Sequence, residues 1–173
     1  MSMRLAVILL LATAAVGVSA AQSPIKDPAL PIPGGQSSRD NMQTAVEFVS
    51  PVQITVAADH PALVDLHFRI ASGLHINSHD PREKTLIPTR LAVVEERGFH
   101  VTAVDFPPGT DYALAFAPKE KLSVYTGELV LHTHLTAQPG EHLLQATLHY
   151  QACDINACMP PRNLPLEVSI LAK

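Results

Sequence analysis

Tryptophan is absent from this chain of 173 residues, cysteine occurs twice, and aromatic residues make up only 5% of it. Two cysteines are too few for a disulfide-scaffold miniprotein or for a zinc site of four thiolates. Charge is also sparse: charged residues amount to 16% and the formal net charge is −4. That balance supplies no basic footprint for nucleic acid. Missing as well are a Gly-rich phosphate loop, a G-x-S-x-G nucleophile turn and an H-E-x-x-H zinc motif, so the common signatures of nucleotide binding and of hydrolysis are lacking. What is present is 47% hydrophobic residues, too many for a disordered chain. The 15 prolines exceed the usual share of roughly 5%. Being scattered rather than periodic, they argue against long helices and suit short strands joined by turns. The length allows one ordinary domain.

The N-terminus reads as an address. Arg4 is followed by an apolar stretch from Leu5 to Val18, broken only by Thr13 and Gly17, and then by the small residues Ser19, Ala20 and Ala21. This is the layout of a signal peptide cleaved after Ala20 or Ala21. The stretch falls short of the about 18 apolar residues of a spanning helix, and no later segment approaches that length, so stable membrane insertion is not expected. Residues 22–44 carry Pro24, Pro28, Pro31, Pro33, Gly34 and Gly35 ahead of a polar run, the composition of a flexible, disordered linker. The folded domain is expected over residues 45–173. A domain of about 130 residues buries roughly two-thirds of its unfolded surface and does not need a disulfide to fold. Both cysteines fall in this exported part, a soluble product of an oxidising compartment and most simply of a periplasm.

Within the domain the hydrophobic period is two. Ala62, Val64, Leu66, Phe68 and Ile70 alternate with Leu63, Asp65, His67 and Arg69; Leu144–Ala152 and Leu164–Ile170 follow the same rule. Alternation of this length marks strands with one buried face. Further strands are expected over 46–56, 89–95, 99–106, 112–116 and 123–135, separated by Asp59-His60-Pro61, Arg97-Gly98, Pro107-Pro108-Gly109 and Gln138-Pro139-Gly140, each with turn chemistry. Seven or eight short strands and no helix predict an all-β, immunoglobulin-like antiparallel β-sandwich. The cysteines are too close in sequence to bridge its two sheets.

The cysteines stand in Tyr150-Gln151-Ala152-Cys153-Asp154-Ile155-Asn156-Ala157-Cys158-Met159-Pro160-Pro161. One reading is a structural disulfide. Against it, closing a loop of about six residues removes only about 2 kcal/mol of unfolded-chain entropy, compared with nearly 5 for a loop of about 100. The other reading is redox: exchange needs one thiol to react and a second nearby to resolve the mixed disulfide, and a C-x4-C loop stiffened by two prolines keeps that second sulfur in reach. Asp154 should raise the pKa of its neighbouring thiol, which favours a passive relay over a strong oxidant. Spacing alone leaves the two readings level.

Three segments carry a resemblance. Tyr150-Gln151-Ala152-Cys153 followed by Cys158-x-Pro160-Pro161, the run Gly73-Leu74-His75-Ile76-Asn77-Ser78 with Pro81 and Leu86-Ile87-Pro88-Thr89, and Val124-Tyr125-x-Gly127-Glu128 together resemble the N-terminal periplasmic domain of the thiol:disulfide interchange protein DsbD family. The resemblance spans residues 45–173 and implies an immunoglobulin-like domain, here standing alone, that passes electrons by disulfide exchange. Its implied partners are thioredoxin-like periplasmic proteins and a membrane-embedded electron carrier. It also implies that Cys158 forms the mixed disulfide and Cys153 resolves it, with Tyr125, Tyr150, His75 and Asp154 supporting the site. Members shield their cysteines with a loop bearing an aromatic residue; the corresponding stretch here offers Phe116, which equally continues the Tyr112–Leu114–Phe116 alternation as a core residue. The resemblance implies thiol:disulfide oxidoreductase activity that depends on a protein partner; no cofactor is expected, and the expected state is a monomer.

Nine histidines raise a rival from another class, a periplasmic copper-binding β-sandwich. His132-x-His134 would point one way from a strand, His75-x3-His79 lies on a loop, and Cys158-Met159 adds soft ligands. No histidine follows Cys158, so the local Cys–His–Met run of blue-copper loops is missing, and no metal site is assigned.

Overall fold

The computed structural model describes residues 45–173 apart from 95, 115 and 116. The segments read as leader and linker, and Phe116, lie outside the described residues. Twelve strands make up the fold, with no helix among the described residues: β1 Val46–Phe48, β2 Gln53–Val56, β3 Ala62–Ile70, β4 His75–Asn77, β5 Arg90–Val93, β6 Phe99–Asp105, β7 Thr110–Leu114, β8 Ala117–Tyr125, β9 Glu128–Ala137, β10 Gly140–Tyr150, β11 Ala152–Cys153 and β12 Arg162–Ala172. They form three four-stranded sheets, ordered β1-β3-β9-β6, β2-β12-β10-β5 and β11-β4-β8-β7. The first two are the layers of an immunoglobulin-like sandwich.

The alternation that predicts strands also predicts which side chains fill the core. Val64, Leu66, Phe68 and Ile70 of β3 and Leu129, Leu131 and Leu135 of β9 are buried from one sheet; Leu144, Ala146 and Leu148 of β10 and Leu166, Val168 and Ile170 of β12 are buried from the other. The outward residues of β3, Leu63, Asp65 and Arg69, are exposed. Each fully buried Leu or Phe contributes roughly 1.5–3 kcal/mol relative to exposure, so these two strand pairs hold most of the stability. All pairings are antiparallel except β2 with β12.

The twelve strands exceed the seven or eight expected, and three of the differences show why. The run 46–56 is two strands, β1 in one layer and β2 in the other, because Pro51 has no N–H to give to a ladder and lets the chain change sheets. The run 123–135 is broken between β8 and β9 by Gly127 at φ +66°, a backbone conformation favoured by glycine. The third is β4, which the sequence does not announce. His75, Ile76 and Asn77 are all buried, so a strand of three residues offers no alternation to read.

The β10–β12 pairing places the cysteines. Their register is unbroken from Gly140 opposite Ala172 to Tyr150 opposite Arg162. β10 therefore runs as a rigid rail to Tyr150. Two residues later β11 has left this layer and pairs with β4 in the third sheet, Ala152 opposite Ile76 and Cys153 opposite His75.

Candidate functional site: the Cys153–Cys158 hairpin

Cys153 and Cys158 are joined in a disulfide, with Cα atoms 3.9 Å apart, and pair as an isolated β-bridge. The chain between them is a tight hairpin. Asp154 N–H donates to the carbonyl of Ala157 at 3.0 Å, and Met159 N–H donates to the carbonyl of Ala152 at 2.8 Å. The Asp154 carboxylate accepts from the N–H groups of Asn156 (2.7 Å) and Ala157 (2.8 Å), the self-bonding that makes Asp a turn residue. The hydrogen bonds from Ala157 and Asn156 hold its carboxyl below the usual carboxylate range; burial opposes this and the neighbouring His75 adds to it. Asp154 is therefore first a shaper of the loop, and it stays ionised beside the sulfurs.

The two sulfurs are not equivalent. Cys153 is 2% exposed, whereas Cys158 is exposed. Over them lies a cavity of about 230 Å³ lined by the hairpin together with His75, Leu86, Leu114 and Leu122. Its apolar wall comes from the β7–β8 hairpin and the loop after β4. Sequence reasoning missed these three leucines; the signal available was that Leu114 and Leu122 flank the stretch from Phe116 to Glu120 expected to shield the cysteines. Ile155 at the hairpin tip is exposed.

His75 stands directly across β4–β11 from Cys153. It is 1% exposed, its ring centre is 4.2 Å from that of Tyr112, and neither ring nitrogen has a hydrogen-bond partner among the described residues. Burial lowers its pKa from 6.5, with the charge of Asp154 acting in the opposite sense. An unpaired buried polar group costs about 1–3 kcal/mol, which the packing of the ring against Tyr112 has to offset.

Polar contacts tie the sequence motifs to one another. Asn77 Nδ2 donates to the carbonyl of Ile87 (3.0 Å) and to Gln151 Oε1 (3.3 Å), Thr89 Oγ1 donates to the carbonyl of Asn77 (2.5 Å), and Gln151 Nε2 donates to the carbonyl of Met159 (3.1 Å). Tyr125 is buried; its hydroxyl donates to the carbonyl of Pro107 (2.9 Å) and accepts from the N–H of His79 (3.1 Å). Burial is the main reason its pKa is raised. Asp111 of β7 meets both Arg82 and Lys121, which joins the loop after β4 to the β7–β8 hairpin. Tyr150 is buried in the core and, like Tyr125, absent from the lining of the cavity over the disulfide; burial, opposed by Arg162 and by a Val46 backbone hydrogen bond, raises its hydroxyl pKa.

The family model for the N-terminal region of thiol:disulfide interchange protein DsbD matches residues 45–168. The chain belongs to this family. It is thus a member of a thiol–disulfide exchange family whose N-terminal domains are periplasmic and interact with thioredoxin-like proteins. No curated protein matches the chain. Among solved structures it is similar to the reduced N-terminal domain of DsbD from Neisseria meningitidis, at 18% identity and TM-score 0.38, covering 61% of this chain and 74% of that one. It is also similar to the N-terminal periplasmic domain of ScsB from Proteus mirabilis, at 13% identity and TM-score 0.48, covering 71% of this chain and 44% of that one. The family assignment rests on the match over residues 45–168 and not on these distant likenesses.

For the DsbD-family chain, the histidines of the copper reading fall in separate places. His132 and His134 lie on β9 and meet Asp65 (2.6 Å) and Asp105 (2.8 Å). His79 stacks on Phe106 and contacts the carbonyl of Thr89. No group of three or more His, Cys, Asp or Glu side chains among the described residues is arranged to hold a metal ion. Nor is any helix among them long and apolar enough to cross a membrane.

Proposed function

We propose that residues 45–173 form a periplasmic relay module, exported by the leader at residues 1–21, that exchanges electrons with thioredoxin-like proteins through the Cys153–Cys158 pair. Cys158 is the sulfur a partner attacks and Cys153 is the resolving one. The observation that carries this reading is the asymmetry of exposure: an incoming thiolate can reach Cys158, while Cys153 is covered. Attack at Cys158 releases Cys153 as the leaving thiolate and leaves the partner bound through a mixed disulfide. Its reversal oxidises the pair again and reduces the partner. A membrane-embedded carrier is the electron donor that fits the family's chemistry.

Two measurements test this. Equilibrated in graded thiol buffers, the pair should convert from disulfide to dithiol at a moderate potential, since structural disulfides lie below about −300 mV. A pair that stays oxidised down to that value overturns the exchange reading. The Cys153→Ser variant, offered an oxidised thioredoxin-like protein, should hold it as a stable mixed disulfide on Cys158. Trapping by Cys158→Ser alone would reverse the assigned roles.

A further inference from the structure

We propose that His75 is the proton-transfer residue for Cys153, accepting the thiol proton when Cys153 resolves a mixed disulfide and returning it when the disulfide is reduced. This rests on the exchange reading above and adds a group directly opposite the residue that carries the reacting sulfur. Residues directly opposite on paired antiparallel strands share a face, with Cβ atoms about 4.5–5.5 Å apart. His75 and Cys153 are such a pair, and both line the cavity over the disulfide. The ring nitrogens are buried and bonded to nothing among the described residues, so an acceptor for a proton is already in place.

The chemistry requires one. Cys153 is covered and cannot hand its proton readily to bulk water, and the ionised Asp154 beside it disfavours a free thiolate. Asp154 is itself a poor base, because its carboxyl is held low by Ala157 and Asn156. The charged and titratable groups around His75 are few: Tyr112 from β7, Asp154 from the cysteine hairpin, and Arg69 from the end of β3, which lines a second cavity with His75. Of the charged residues on β8, Lys119, Glu120 and Lys121, none lines either cavity. Burial favours the neutral imidazole, which is the form that accepts a proton.

The Cys153 S–H proton passes to a nitrogen of His75, the sulfur attacks Sγ of Cys158, and the Cys153–Cys158 bond forms. The bond from Cys158 to the partner sulfur breaks, and the partner leaves as a thiolate carrying the electron pair. The dithiol side is oxidised, the partner is reduced, and His75 then gives its proton to that thiolate or to solvent.

Reduced protein treated with 5,5′-dithiobis(2-nitrobenzoate) tests the step. The first thionitrobenzoate released reports attack by Cys158; the second reports resolution by Cys153. In His75→Phe, which keeps an aromatic ring against Tyr112, the second release should slow by about 100-fold, within the usual reach of general acid–base catalysis, with the first unchanged. The wild-type second rate should level off once the imidazole is neutral, below neutral pH, whereas the variant rate should keep climbing with pH as thiolate accumulates. His75→Gln provides the same comparison should the Phe variant fold poorly, and thermal unfolding monitors both. A second release within about twofold of wild type, with the same pH profile, overturns the role of His75 and leaves exchange standing. Absence of any second release from the wild-type protein overturns the exchange reading itself.

Discussion

The sandwich and the small third sheet bury different kinds of residue. Of the six buried polar residues among those described, only Thr133 lies in the sandwich; His75, Asn77, Ser78, Thr89 and Ser123 belong to the third sheet and the loop that adjoins it. The sandwich interior is Leu, Val, Ile and Phe, with Phe48 on Phe68 at 5.3 Å between ring centres. Apolar packing is non-directional and supplies stability. Hydrogen bonds are directional and modest in net energy, about 0.5–1.5 kcal/mol each, but they fix where atoms sit. One region therefore holds the fold together, and the other holds a disulfide in a chosen place.

That division can be broken by mutation. The largest effect should come from Phe68→Ala, which empties a fully buried site and is expected to cost about 3–5 kcal/mol in chemical denaturation. The rate at which a small thiol reduces the disulfide in the protein that remains folded should not change. A change of several-fold would show the two regions to be coupled. Next, replacing both cysteines by serine should cost only about 2 kcal/mol, the value for so short a loop, while abolishing thiol exchange altogether. A loss approaching 5 kcal/mol would make the bond a staple and move it to the sandwich side of the division. The smallest effect is expected from Tyr125→Phe, which removes the bonds to Pro107 and His79. Global stability should fall by about 1 kcal/mol, with faster amide hydrogen exchange at His79 and little change at β10 or β12.

Legibility followed the same division. The two sandwich layers could be read because each strand hides one face, so Ala62–Ile70 emerged with the limits the structure gives it. Tyr125 and Tyr150 were singled out together and both are buried in the core, yet the Tyr125 hydroxyl ties the third sheet to Pro107 and His79 while Tyr150 sits at the end of β10. A signature identifies residues that matter without saying where they go. The resemblance set His75 among the residues supporting the cysteines, but its pairing with Cys153 across β4–β11 was not legible, because β4 is buried on both faces and the two residues are far apart in sequence.

By itself the sequence determined a β domain, its family, and a close pair of cysteines after a long strand, since alternation and spacing are local properties of a chain. Only tertiary structure decided that β11 leaves the sandwich to meet β4. That crossing covers one sulfur, exposes the other and sets a buried imidazole, without a hydrogen-bond partner among the described residues, opposite the covered cysteine. The physical reason is that burial and strand partnership are long-range: they depend on what the rest of the fold brings alongside.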